Sequence, residues 1–324
     1  MPLVTNPSPR RSPSPVFIGN VSNENTPFNC IMKIEGHEGT VEECSFSIDG
    51  RLLATASVDK TVKLWDIDSH HCIATLKGHT GFVNSTKISP DSTLVASVSW
   101  DKTMRLWDVK SQRCIAVVDE HTDGVIGCGF SSNGIVLASA SADMTVRLWN
   151  VSTLMNIATL DGHSGPSFSC EFSRDEILAS TSYDCTVRLW DVNTQQCITV
   201  LNGHTEACNR CCFAADGKIL ASSSSDNTVR LWDMRARQSI ATLNDSNGWT
   251  WQCSFSNDDA CIAAACYDGH VALVWDMKTL RCIASLQHDI STTMWACAIS
   301  ARGTIATAGG TNLVDDKPAI HFWQ

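Results

Sequence analysis

From residue 28 onward, apolar residues alternate with small or polar ones in short runs. The stretch LLATASVDKTVKLWD (52–66) is typical, and ILASSSSDNTVRLWD (219–233) follows the same phrase. A period of two places every second side chain on one face of an extended chain, which is the signature of half-buried strands. Asp49-Gly50, Pro90-Asp91 and Asn133-Gly134 punctuate the runs as turns. β-branched residues are dense and no 3.6-residue stripe persists, so helix is not expected. The pattern predicts four short strands per unit, joined as hairpins.

The unit recurs every 41–43 residues, apart from a longer final copy, and Trp65, Trp107, Trp149, Trp190, Trp232, Trp275 and Trp323 align. Repetition at this period signals an array of supersecondary units, not two unrelated domains. Gly-His, then Ser-x-Asp, then Trp-Asp recur at near-constant spacing, in five good copies and two worn ones. On these residues, 28–324 resemble the WD-repeat family. The resemblance implies an all-β fold, a seven-bladed propeller of four-stranded sheets round a channel. After Trp323 only Gln324 follows, so the last blade lacks an outer strand. FNCIMKI (28–34) matches the outer-strand phrase CIATL (72–76) and is expected to pair with 319–323, closing the ring and covering two sheet edges.

His37/Asp59/Trp65 recur with a hydroxyl from Thr55 or Ser57. The same set returns as His79/Asp101/Trp107, His121/Asp143/Trp149, His163/Asp184/Trp190 and His204/Asp226/Trp232, each with one of two serines. A single Ser-His-Asp would suggest a hydrolase triad. Five copies argue instead for a structural role, and the resemblance implies a buried chain from Asp through His and hydroxyl to the indole N–H. No catalytic residue, cofactor or metal is expected, because the histidines are spread one per unit and not clustered as ligands.

Bulk properties narrow the partners. Residues 1–27 hold six of the nine prolines, with serines between them, and read as a disordered tail. Net charge is −10, without a basic run beyond Arg10-Arg11. The footprint of a nucleic-acid or anionic-membrane binder is missing. No run of apolar residues is long enough to span a bilayer. With no secretory signal, the 16 cysteines read as reduced thiols in cytoplasm or nucleus. Eleven fall at two repeat positions, the first strand (Cys44, Cys128, Cys170, Cys211, Cys253, Cys297) and the outer strand (Cys30, Cys72, Cys114, Cys197, Cys282), and read as small buried side chains. Cys208 and Cys211 form a C-x-x-C with no second pair, which argues against zinc.

DSNGWTWQCSF (245–255) breaks the pattern: the Gly-His is gone, and Trp249 and Trp251 stand in its place. The resemblance implies three positions per blade on the top face: the third and fifth after the His, and the residue before the turn Asp. Here they carry Thr40, Glu42 and Val58; Phe82, Asn84 and Trp100; Gly124, Ile126 and Ala142; Pro166, Phe168 and Tyr183; Ala207, Asn209 and Ser225; Trp249, Trp251 and Tyr267; Thr293 and Trp295. All four tryptophans outside the blade set, and both tyrosines, land there. Such residues dominate binding hot spots. With Ala264 and Cys266 replacing its hydroxyls, blade six is expected to have lost its polar chain in favour of a binding surface. The turn TNLVDDKP adds Asp315 and Asp316 as an acidic rim beside Trp295, suited to a cationic element of the partner.

The expected function is therefore a non-enzymatic scaffold: a monomeric propeller within a larger complex. It would bind a protein or peptide on an aromatic top face centred on blades six and seven. Two alternatives stand beside it. One is a methyl-lysine reader using Trp249, Trp251, Tyr267 and Trp295 as a cage. The other is a substrate receptor of a cullin-4 ubiquitin ligase, since LASSSSDNTVRLWDMR (220–235) resembles that group's Trp-Asp-x-Arg box, with Arg235 at its end.

Overall fold

A computed structural model describes residues 28–324 apart from 247, 268–269, 289–291 and 312–316. The expectations for residues 1–27 and for Asp315 and Asp316 fall outside the described residues. The described chain forms seven four-stranded antiparallel sheets, each a blade. Blade one runs Val41–Phe46, Leu52–Ser57, Thr61–Asp66 and His71–Lys77, from the inside outwards. No helix among the described residues is long and apolar enough to cross a membrane.

The ring closes as the register of FNCIMKI requires. Cys30–Glu35 lies antiparallel to Ala319–Trp323, with Cys30 opposite Trp323 and Glu35 opposite Ala319. The first strand of the chain is thus the outer strand of the last blade. Its Met32 and Ile34 share a core with Ile320 and Phe322 of that blade and Val41 and Leu53 of blade one. The first and last strands of the propeller are thus paired with each other.

Each blade tryptophan is buried, from Trp65 to Trp323. Outside blade six its indole N–H donates to a hydroxyl: Trp65 to Thr55 at 2.9 Å and Trp190 to Ser180 at 2.8 Å. That same oxygen meets the His ring, His37 Nε2 at 2.7 Å and His163 Nε2 at 2.8 Å. The other ring nitrogen faces Asp59 at 2.7 Å and Asp184 at 2.9 Å. Sets at His79, His121 and His204 repeat this geometry. Of the two candidate hydroxyls, the first serves the chain. The second, such as Ser57, accepts from the Asp59 N–H and donates to the Gly39 carbonyl, which fixes the turn.

The worn blades keep part of the chain. In blade six the Trp275 indole donates to Asp245 Oδ2 at 2.6 Å, so the carboxylate of the DSNGWTW segment replaces the missing hydroxyl. This corrects the expectation that the polar chain there is lost outright. In blade seven, His288 Nε2 and the Trp323 indole both meet Thr307 Oγ1, at 2.6 and 2.7 Å. The six inner-strand cysteines are buried as expected. The outer-strand set is not: Cys72, Cys197 and Cys282 are exposed, and Cys30 and Cys114 half-buried. Outer strands have solvent on one side, so repeat position alone does not bury a thiol.

Two predictions follow from this construction. Deleting residues 1–26 leaves the melting temperature unchanged, whereas deleting 1–35 gives an aggregating or unfolded chain, because it strips the edge of the last blade. Equal melting of the two truncations overturns closure by pairing. The second concerns acid. Burial alone would raise the Asp184 pKa, but hydrogen bonds from Thr186 and His163 hold it down at about 2. A carboxylate depressed in the folded state stabilises it above the ordinary pKa, and that contribution fades as pH falls towards the folded value. Asp184→Asn should therefore melt below wild type at pH 7, with the gap shrinking between pH 4 and pH 2. A gap independent of pH would rule out the ionic role.

Candidate functional site

Strands alternate direction within a blade, so the start of each inner strand and the turn between the second and third strands share one face, here the top. The inner strands share one irregularity near that face. Register slips past Glu42, Asn84, Ile126, Phe168, Asn209 and Trp295, one residue per blade, and in blade six between Thr250 and Cys253, across Trp251 and Gln252. A bulge leaves a residue out of the ladder and re-aims its side chain. Seven bulges at one level ring the top mouth of the channel with Glu42, Asn84, Ile126, Phe168, Asn209, Trp251 and Trp295. This ring is the second of the three top-face positions expected from the sequence.

Six aromatic rings join into one cluster. Tyr183 meets Phe168 edge-on at 6.2 Å, and Phe168 lies 6.5 Å from Trp251. Trp251 meets Trp295 at 4.9 Å, Trp295 meets Tyr267 at 4.9 Å, and Tyr267 stacks on Trp249 at 5.7 Å. The cluster therefore reaches from blade four over the channel mouth to blades six and seven, wider than the sequence suggested. Tyr183 is 63 % exposed and Trp249 48 %, while the four rings between them are half-buried. Trp100 and Phe82, also exposed, sit apart on blade two. Trp100 packs over Gly124 of blade three, where a Cβ would collide with its ring unless the ring moved.

Asn84 and Asn209 do not stand on the surface as partner contacts. Both are buried, and their amides donate to carbonyls of the next blade, Val125 and Thr250, each at 2.8 Å. Two short amides at bulges thus stitch neighbouring inner strands where the ladder is interrupted. Gln252 does the same one level lower. Its Oε1 accepts from the Cys297 N–H at 3.2 Å, and its Nε2 donates across the ring to the Cys44 carbonyl at 3.4 Å.

Sequence reasoning passed over Arg210. Where other blades carry Glu43, Ser85, Gly127, Ser169, Gln252 and Ala296, blade five places this arginine, and that substitution was the available signal. Arg210 is buried. Its guanidinium donates to the Phe168 carbonyl of blade four and, at 3.3 Å, to the Asn84 carbonyl of blade two, so it bars the channel. It also lies 5.9 Å from the Trp251 ring, a cation–π contact that supports the aromatic cluster from below. Burial pushes the Glu42 carboxyl up to about 7, against the opposing pull of Arg210. Deeper still, Lys87 lies between Glu43 at 3.1 Å and Glu171 at 3.5 Å. Burial alone would lower the Lys87 pKa, but the two carboxylates outweigh it and raise it.

Arg235 is exposed in the turn after Val229–Asp233, at the face opposite the aromatic cluster. Cys208 and Cys211 are both buried, and burial raises both thiols, so neither presents a ready thiolate for a metal. Among the described residues no group of three or more His, Cys, Asp or Glu is placed to hold a metal ion.

Short stretches of this chain resemble parts of known proteins. A 54-residue stretch is 37 % identical to zinc finger CCCH domain-containing protein 62 of Arabidopsis thaliana, covering 17 % of this chain and 12 % of that protein. Telomerase protein component 1 of Rattus norvegicus is 53 % identical over 38 residues, 12 % of this chain and 1 % of that protein. Target of rapamycin complex subunit LST8-1 of Arabidopsis thaliana is 44 % identical over 43 residues, 13 % of this chain and 14 % of that protein. The chain thus spans only a small part of the length of these relatives. Residues 23–275 match the family described as the IFT122 first beta-propeller, and with its seven repeat-built blades the chain belongs to that family of WD-repeat β-propellers.

Proposed function

We propose that this propeller is a non-enzymatic scaffold that binds a protein or peptide on its top face, over the six linked aromatic rings. The observation that carries the reading is the continuity of those rings across the channel mouth. They are not blade-core residues, which are the buried tryptophans, and they leave Tyr183 and Trp249 open to solvent. Rigid aromatics with a buried middle and an exposed rim match the anatomy of a binding hot spot. Arg210 blocks passage through the channel, so a partner segment would lie across the mouth and not thread it.

A cationic element suits this site. Glu42 stands in the bulge ring, and Glu38, Asp123 and Glu206 are exposed around the same face. A cation over the outer faces of Trp249 or Trp251 gains from the ring quadrupole as well. A methyl-lysine cage is less well supported. Trp251, Trp295 and Tyr267 meet edge to face at 4.9 Å, so the rings fill the space a trimethylammonium would need between them. The adaptor reading through Arg235 keeps one favourable observation, its exposure on the opposite face, where a second protein could dock without touching the first. Loss of ligase-adaptor co-purification on Arg235→Ala tests it.

Replacing Trp190 by Ala should lower stability by about 3–5 kcal/mol, as large aromatic deletions in cores do. Trp249→Ala should change melting by only a few degrees yet weaken partner capture by about 2 kcal/mol or more. If Trp249→Ala melts as early as Trp190→Ala, the surface rings are core and the reading fails. A basic peptide should also bind more tightly as pH rises through 7, because Glu42 then ionises, and Glu42→Gln should flatten that rise. Affinity that is unchanged between pH 6 and pH 8, or insensitive to salt, would exclude a charge-guided partner.

A further inference from the structure

Below Arg210 the channel widens into a cavity of about 400 Å³. Its walls come from inner strands, and its mouth from the bottom turns at Ile48, Ala215, Asn257 and Ala301, so it opens on the face opposite the aromatic cluster. Cys212 of blade five and Cys253 of blade six both line it, and their sulfurs lie 3.5 Å apart, with the Cys212 thiol donating to Cys253. At the level of Cys212 the other blades place Ser45, Lys87, Gly129, Glu171, Ser254 and Ala298. The facing pair of thiols therefore belongs to this one seam among seven.

We infer that Cys212 and Cys253 form an oxidisable dithiol, which a small hydroperoxide entering the bottom cavity converts into a disulfide bolting blade five to blade six. The sulfurs must close from 3.5 Å to about 2 Å, the length of an S–S bond. The two side chains already face each other across the seam, sulfur to sulfur, with no other side chain's atom between them at that distance.

The order of events follows from the hydrogen bond. Cys253 receives the Cys212 S–H, so Cys253 is the nucleophile. Its sulfur attacks one peroxide oxygen, the O–O bond breaks, and the departing oxygen takes the thiol proton and leaves as water or alcohol. Cys253 is then a sulfenic acid. The Cys212 sulfur attacks it, the S–S bond forms, the S–O bond breaks, and hydroxide leaves with the Cys212 proton as water. Two thiols are oxidised and one peroxide is reduced. Burial, together with the hydrogen bond to Cys253, raises the Cys212 thiol, so it keeps its proton until this second step. The bridge would sit below Asn209 and Trp251 and fix the seam between their blades. It does not depend on which partner binds above.

The test uses the full chain with the exposed Cys72, Cys197 and Cys282 changed to Ser, which removes competing surface thiols. The folded protein is treated with hydrogen peroxide, blocked with an alkylating agent, digested without reductant and analysed by mass spectrometry. The expected product is a Cys212–Cys253 cross-linked peptide pair, two hydrogens lighter than the sum of its parts. A rise in melting temperature, reversed by dithiothreitol, should accompany it. Cys212→Ala should fold, since Gly129 and Ala298 fill that level elsewhere, and should lose both signals. If both thiols remain alkylatable after unfolding, if either is recovered as sulfinic or sulfonic acid without a bridge, or if the bridge forms through Cys211, the inference is overturned.

Discussion

A buried imidazole held between a carboxylate and a hydroxyl fixes the top end of five blades. Asp59 shows how much converges on one group: it accepts from His37, from the Glu38 N–H, and from both the N–H and hydroxyl of Thr61. The contacts to His37 and Glu38 tie the chain entering the inner strand to the turn between the second and third strands, and those to Thr61 close the turn itself. Leaving any of these groups unpaired in a dry interior costs more than the bond itself contributes. The turn is thus held in one conformation, with Lys60 at φ 70° as part of the geometry. Side chains on the top face stand on a fixed frame because of this.

The inner strands solve a different problem. Seven of them converge on one axis, where full-sized side chains at every position would collide. Bulges near the top turn one residue per blade towards the mouth, and short amides reconnect the interrupted ladders from blade to blade. Charge at the axis is paired: Lys87 joins two carboxylates, and Arg210 spends its guanidinium on two carbonyls. These links cross between blades, whereas the imidazole sets act within one. Ring integrity thus rests on the channel as well as on the pairing of Cys30–Glu35 with Ala319–Trp323.

The tryptophans divide between the two jobs. Seven sit one per blade with the indole bonded to a hydroxyl, or in blade six to Asp245. The other four lie on the top face, three of them in the six-ring cluster. Trp251 lies over Arg210, and Trp295 donates to Thr293 Oγ1 at 3.1 Å. Blade six therefore kept its core by recruiting a carboxylate from the same short segment that supplies Trp249 and Trp251. Structural repair and surface chemistry are neighbours in one short segment, where the other repeats carry the His turn.

The sequence by itself determined the strand pattern, the seven blades and the pairing of 28–34 with 319–323, since period-two alternation and a repeated phrase are local facts that burial then reads out. It also marked the top-face aromatics, because they depart from the repeat. Tertiary structure alone decided which of those side chains meet. Asn84 and Asn209 look like Glu42 and Trp251 in the alignment, yet a short amide at a bulge reaches the next backbone and is buried, while a long ring overshoots it and joins its neighbours. The contact of Phe168 with Trp251 links residues far apart in sequence across the channel mouth. The meeting of Cys212 with Cys253 depends likewise on how closely adjacent strands approach the axis. Such distances are set by ring closure, a constraint on all seven blades together that no single repeat encodes.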